Sequence, residues 1–548
     1  MNNPKSPPFE IGLCMAGAVS AGAYTAGVMD YLLEALEEWE KRKILDPKNT
    51  PMHEVVIPVM GGASAGGMTC IITANAIQNE IVPIRNVEDI PTNSPKNKLF
   101  NAWVNLTNED MFPELLKNDD LKDGVVESLF NAHFIDEIAQ KTLQPNSNLS
   151  PANRKYFAED LKVFTTLTNL NGIQFKQEFM SDSDQSSYHI SKHSDFACFQ
   201  INAQQYEGKG WIPLNFSNPD ERQLAMDAAM ATGAFPIGLK ARKVIRPTQY
   251  VKDCIFHDDV DMKVEDEYFE TLNIDGGTIN NEPYEKVQKV LAQNKPLEKS
   301  YSKATSTVLM IDPFPSEEPI EKKFGDQIGN VISGTIGAML NHLRFEPKSI
   351  SDSNDPDDAS VYLVAPVRYE KKADGSTKKI EGKEAIACGF LSGFGGFIHR
   401  DFRLHDYFLG RANCERFLRQ YFTIPIEAEN PIINKGYEHL PTDAFVVTNN
   451  SSGRKEYPII PLFDEQDDLY LPDFDGQDWP QKNLSEIHRF RRPLKKRFGK
   501  IIMNIMKLKW YVKGLLWIGN HLVLKKMASK KFIEIMEKEM KDWDLIRK

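Results

Sequence analysis

The stretch 55–77, VVIPVMGGASAGGMTCIITANAI, constrains the fold more than any other, because a short apolar run passes through a small-residue turn directly into helical spacing. Such a run, bounded by glycines and followed by a helix, reads as a buried strand that delivers its chain to the end of a sheet. The turn is Gly62-Ala63-Ser64-Ala65-Gly66, a G-x-S-x-G pentapeptide. Glycines two residues to either side let the backbones pack closely while the serine hydroxyl projects from the sheet edge, as in a nucleophile elbow. The helix that follows favours negative charge developing at its N-terminus. A first unit of the same kind precedes it: an apolar run over 9–15, a small-residue turn, and a helix over 24–43 with Val28, Leu32, Leu33 and Leu36 at helical spacing.

A serine hydroxyl is a poor nucleophile until a base takes its proton. Asn273-Ile274-Asp275-Gly276-Gly277 offers a carboxylate at the end of an apolar strand, and Gly276 and Gly277 let the chain turn so that Asp275 can point across the edge where Ser64 lies. Short β-branched runs at 162–168 and 308–311 extend the alternation of strands and helices. The pattern predicts an α/β fold of three α/β/α layers, with a central mostly parallel sheet and a helical C-terminal extension. Residues 1–425 form the expected catalytic domain with insertions. Residues 426–481, rich in Pro, Asn, Asp and Gly, are expected as an irregular connector, and 482–548 as a basic amphipathic helical region.

Taken in order over roughly 9–313, these elements resemble the patatin-like phospholipase family. The pentapeptide 62–66 matches its G-x-S-x-G, and 275–283, with Asn281 and Pro283, matches its D-G-[GA] box. Between them 163–172 (VFTTLTNLNG) is similar to the family's strand and loop, and 231–236 (ATGAFP) to its S-x-A-x-P segment. The resemblance implies a dyad without histidine, Ser64 as nucleophile and Asp275 as base, with no cofactor and no metal. The family's G-G-G-x-R-G turn corresponds to Gly17-Ala18-Val19-Ser20-Ala21-Gly22, where only the first and last glycines remain and Ala21 replaces the basic residue. Backbone donors survive side-chain substitution, so the resemblance places the oxyanion hole at the amides of Gly17, Ala18 and Val19. The implied activity is hydrolysis of fatty-acyl esters of phospholipids or other lipids. A soluble carboxylesterase or thioesterase on the same pair, or a non-catalytic lipid-binding protein that keeps the fold, are the alternatives.

A Ser-Asp-His triad would also use the elbow, and requires a histidine after the acid; His342, His399 and His405 all fall in helical stretches. His399-Arg400-Asp401 and His405-Asp406 repeat imidazole and carboxylate as a metal site would, but the interleaved Arg400, Arg403 and Arg411 favour ion-paired packing. Residues 352–358 loosely resemble a calcium loop without its glycine at the sixth position and with Leu363 where the bidentate acid belongs. The run 324–345 has helical spacing, as a core helix or as a roof over the site.

A formal net charge of -11 argues against nucleic acid as partner. Between 487 and 533, however, fourteen Lys/Arg occur with no Asp/Glu. Apolar residues there, among them Ile501, Ile505, Leu508, Leu516 and Trp517, follow helical spacing, as in a helix that lies on an anionic membrane. The uncharged run 514–524 is too short to cross a bilayer, which takes about 20 residues. The alternative is a helix hairpin docked on the acidic catalytic domain. Six cysteines without a C-x-x-C pair, and an N-terminus without a leader pattern, lead to the expectation of a cytoplasmic protein, peripherally attached to the inner face of a membrane.

Overall fold

The computed structural model describes residues 7–315, 358–505 and 520–547, apart from 106–109, 122–123, 146–149, 151, 179–186, 204–207, 209, 258–263, 293–296, 373, 450–451 and 464–468. The helical run expected at 324–345, with His342, residues 352–357 of the loop resembling a calcium site and the aromatic stretch 506–519 lie outside the described residues.

Among the described residues nine strands form one sheet: β1 (Phe9–Met15), β2 (Val55–Gly62), β3 (Phe157–Glu178), β4 (Ser187–Ile201), β5 (Ile212–Leu214), β6 (Arg242–Pro247), β7 (Tyr268–Asp275), β8 (Ser306–Ile311) and β9 (Val361–Val364). The spatial order is β5-β4-β3-β2-β1-β8-β9, with β7 paired to both β3 and β6. The centre, β3-β2-β1-β8-β9, is parallel throughout, while β4, β6 and β7 bring antiparallel pairing on one flank. Parallel strands need covered faces, and β1 shows how both are filled. Ile11, Leu13 and Met15 join the large core cluster with α1 (Gly22–Leu45), whereas Cys14 joins a second cluster with Val287 and Leu291. The other principal helices are α2 (Ser64–Ala76), α3 (His133–Leu143), α4 (Pro219–Thr232), α5 (Tyr284–Leu291), α6 (Arg400–Gln420), α7 (Arg491–Ile505) and α8 (Asn520–Asp542). The protein is thus a mostly parallel sheet flanked by helices, with a helical C-terminal region.

One feature of the pairing positions the site. β2 ends where Gly62 pairs with Thr165 of β3, but β3 runs on, and its freed edge is taken up by β7, with Leu167 opposite Asp275. The last residue of β7 therefore arrives two positions along β3 from the last residue of β2.

The residues 426–481 carry the helix Ile433–Tyr437 and two short strands, Val447–Thr448 and Lys455–Pro458, the second pairing with Thr423–Pro425. This part packs on the approach to β2 through His53, whose Nε2 donates to the Ile459 carbonyl at 2.8 Å and whose ring lies 4.7 Å from Trp39 and 5.4 Å from Tyr437. Burial lowers the His53 pKa to about 3. The unfolded chain, with an ordinary value near 6.5, then takes up a proton that the folded protein refuses, so stability is full above that pH and falls as the pH drops toward 3. Between pH 7 and pH 5 this one group should cost the wild type about 2 kcal/mol. Chemical denaturation at the two pH values, compared with His53→Gln, measures it; an identical pH slope in the variant would show that His53 is not the group.

Candidate active site

Ser64 opens α2 at φ 49°, in the left-handed region, and its side chain is 4% exposed. A serine held there projects from the turn instead of joining the first helical turn, a strain that a packed surround must sustain. Gly66 explains part of that surround: a Cβ at this position would drive into the Met15 carbonyl, so the helix can lie this close to β1 only without a side chain.

Ser64 Oγ donates to Asp275 Oδ2 at 2.6 Å, and Asp275 is 5% exposed. The other carboxylate oxygen accepts from the Gly277 amide at 2.8 Å, which sets the plane of the group. Gly276 lies against the Thr166 carbonyl, again where no Cβ fits. The segment 231–236 clasps both partners: Thr232 Oγ1 accepts from the Ser64 amide at 2.9 Å, and the Ala234 carbonyl accepts from the Asp275 amide at 2.8 Å. Thr168 Oγ1 donates to the Asp275 carbonyl at 2.9 Å. Sequence reasoning noted the likeness of 231–236 and of 163–172 but singled out neither threonine, since a hydroxyl in a helix or strand carries no positional signal by itself.

The turn after β1 lies against the same pair. Gly17 is held between Asn281 and Ser64, where an added Cβ would meet Asn281 Oδ1 and come 3.0 Å from Ser64 Cβ. Its amide, expected as an oxyanion donor, donates to the Asn281 carbonyl at 3.1 Å, and one hydrogen cannot serve two acceptors well. The amides of Ala18 and Val19 donate to no acceptor among the described residues. Val19 has φ 50°, an unusual setting for a β-branched residue, and lines the cavity with Ser64. The positive end of the α2 dipole lies at Ser64 as well.

A cavity of about 70 Å³ opens on Ser64 and Asp275. Met68, Trp103, Ile135, Ile138, Met230 and Phe235 make most of its wall apolar, while Lys240 and Arg242 stand at its edge, paired with Glu127 at 2.9 Å and Asp136 at 2.5 Å. This volume is small beside a fatty-acyl chain, so a long chain requires these side chains to part.

No histidine is among the cavity's lining residues. His399 caps α6 by accepting from the Asp401 amide at 3.1 Å. His405 is fully buried with Nδ1 2.8 Å from Asp406 Oδ1, and that carboxylate also accepts from the amides of Ala387 and Cys388. Arg411 pairs with Asp30 and Glu34 of α1. These groups pack α6 onto the body of the fold. Among the described residues no group of three or more His, Cys, Asp or Glu side chains could hold a metal ion.

A layered α/β sheet with a serine on a strand-to-helix elbow, hydrogen-bonded to a carboxylate from a neighbouring strand, is a framework compatible with a hydrolase. More particularly, a sequence model of the patatin-like phospholipase family matches residues 13–287, and the chain belongs to that family, whose members are lipid acyl hydrolases. An uncharacterized protein, y4iI, of Sinorhizobium fredii (strain NBRC 101917 / NGR234) is 30% identical over 515 residues, covering 84% of this chain and 72% of that protein. A match of that extent reaches well past residue 287, so much of the C-terminal half is shared between the two. Among the described residues no helix is long and apolar enough to cross a membrane.

Proposed function

We propose that this protein hydrolyses fatty-acyl esters of phospholipids through Ser64 and Asp275. The observation that carries the reading is the 2.6 Å hydrogen bond between the two side chains at the wall of an apolar cavity. Asp275 takes the Ser64 proton as Oγ attacks the ester carbonyl carbon, and the amides of Ala18 and Val19 hold the oxyanion. Collapse of the tetrahedral intermediate expels the alcohol, which leaves with the proton from Asp275, and forms an acyl-serine. Asp275 then takes a proton from water, the resulting attack forms a second tetrahedral intermediate, and its collapse releases the fatty acid as the proton returns to Ser64. The substrate is met at the cytoplasmic face of an anionic membrane, to which the basic stretch 487–533 contributes attraction.

The small volume of the cavity supports a second reading, a short-chain carboxylesterase on the same pair. A fluorophosphonate probe tests the common chemistry: the wild type should be labelled on the peptide bearing Ser64, and an unlabelled protein would leave only a lipid-binding role. Product analysis by mass spectrometry, with phospholipid vesicles beside p-nitrophenyl butyrate, separates the two substrate classes.

A further inference from the structure

The loop between the cavity-lining Phe235 and Leu239 carries an exposed, strained isoleucine. Ile237 is 76% exposed at φ 65°, although a β-branched side chain disfavours the left-handed region. It is not a loose tip: its carbonyl accepts from the Leu129 amide at 2.9 Å, and the next carbonyl, of Gly238, accepts from the Phe130 amide at 3.0 Å. Two residues earlier the same loop supplies Phe235 to the cavity wall. On the facing segment Val125 is 60% exposed. The two segments are joined by these main-chain bonds into a lip that follows the cavity-lining Phe235, with an exposed aliphatic side chain on each.

Helix α7 braces this lip. Arg497, fully buried, donates to the carbonyls of Lys117, Ser128 and Leu129 and forms a two-pronged pair with Asp120, at 2.9 and 2.7 Å. Outward from that anchor Arg492, Lys495, Lys496 and Lys500 are exposed and form no ion pair among the described residues. A chain with net charge -11 therefore holds, on the helix anchored to 128–129, four exposed cations without an ion pair among the described residues, and 129–130 bond the loop that carries Ile237.

We infer that this face is the docking surface for an anionic phospholipid bilayer, with Ile237 and Val125 entering the acyl region and the four cations of α7 lying at the headgroups. The choice of a bilayer rests on the acyl-ester reading of the cavity and on charge complementarity; protruding aliphatic tips gain most where hydrocarbon surrounds them. The face differs from a tail that merely tethers, because it sets the opening against the lipid.

Vesicle flotation tests it, with vesicles of phosphatidylglycerol and phosphatidylcholine against phosphatidylcholine alone, and hydrolysis of p-nitrophenyl butyrate as the soluble control. Wild type should prefer the anionic vesicles and release with salt. Ile237→Gly removes the tip while suiting the backbone angle, so its melting temperature should not fall, yet its vesicle affinity should drop about tenfold. Lys495→Glu with Lys496→Glu should weaken binding at least tenfold at low salt. Butyrate ester hydrolysis should stay at the wild-type level in both. Absence of wild-type binding, or binding unchanged in either variant, overturns the inference; loss in the lysine variant alone would show attraction to the headgroups without entry of Ile237 into the acyl region. Failure of the wild type to hydrolyse both the soluble ester and the vesicle phospholipid, with vesicle binding as described, would remove the enzymatic reading and leave the surface standing.

Discussion

Alanine at Ser64 should lower ester hydrolysis by about 10⁴-fold or more, because the attacking atom is gone and only binding and oxyanion stabilisation remain. Fold stability should change little, since the neighbours of Ser64 hold it through its amide, which donates to Thr232, and not through the hydroxyl alone. Ser64→Gly sharpens the test. Both variants are expected to be inactive, but glycine also relieves the backbone held at φ 49° and should be about 1 kcal/mol more stable than alanine. Hydrolysis that persists in either variant at more than a hundredth of the wild-type rate would place the nucleophile elsewhere.

Asparagine at Asp275 should cost about 10³- to 10⁴-fold in kcat. The side-chain oxygen that accepts from the Gly277 amide would keep doing so, turning the new amide nitrogen toward Ser64 Oγ, where it offers a hydrogen in place of a lone pair. Pairing of β7 with β3 and the bond from the Asp275 amide to Ala234 are main-chain interactions and stay. Binding of a short ester should therefore persist while turnover fails, so that KM changes little as kcat falls. A variant that retained a tenth of wild-type kcat would show that another group removes the proton.

Much of this site can be read along the chain where its parts are local. The elbow 62–66 joins an apolar strand to a helix, and its glycines sit where backbones touch; type, order and spacing of residues suffice to recognise it. The turn 275–277 is readable for the same reason. The donor turn was readable only in part. Which of the amides of Gly17, Ala18 and Val19 has a hydrogen to spare depends on the Asn281 carbonyl, more than 260 positions away. Thr232 was passed over because its value lies in where α4 ends relative to α2, which no local pattern expresses. In the same way 426–481 reads as irregular by composition, while its helix and short strands depend on docking against His53 and Trp39.

The amino-acid sequence by itself determined the two strand-turn-helix units, the alternation that makes a layered α/β fold, and the chemical types of the pair proposed to react, all of which follow from short-range spacing and burial. Tertiary structure decided that the pair meets. Hydrogen bonding between strands is made through backbone groups common to every residue, so a strand's partner is chosen by the packing of the whole sheet. Here β3 outruns β2 and accepts β7 on the exposed edge, and that one pairing carries Asp275 across 211 positions of chain to the hydroxyl of Ser64.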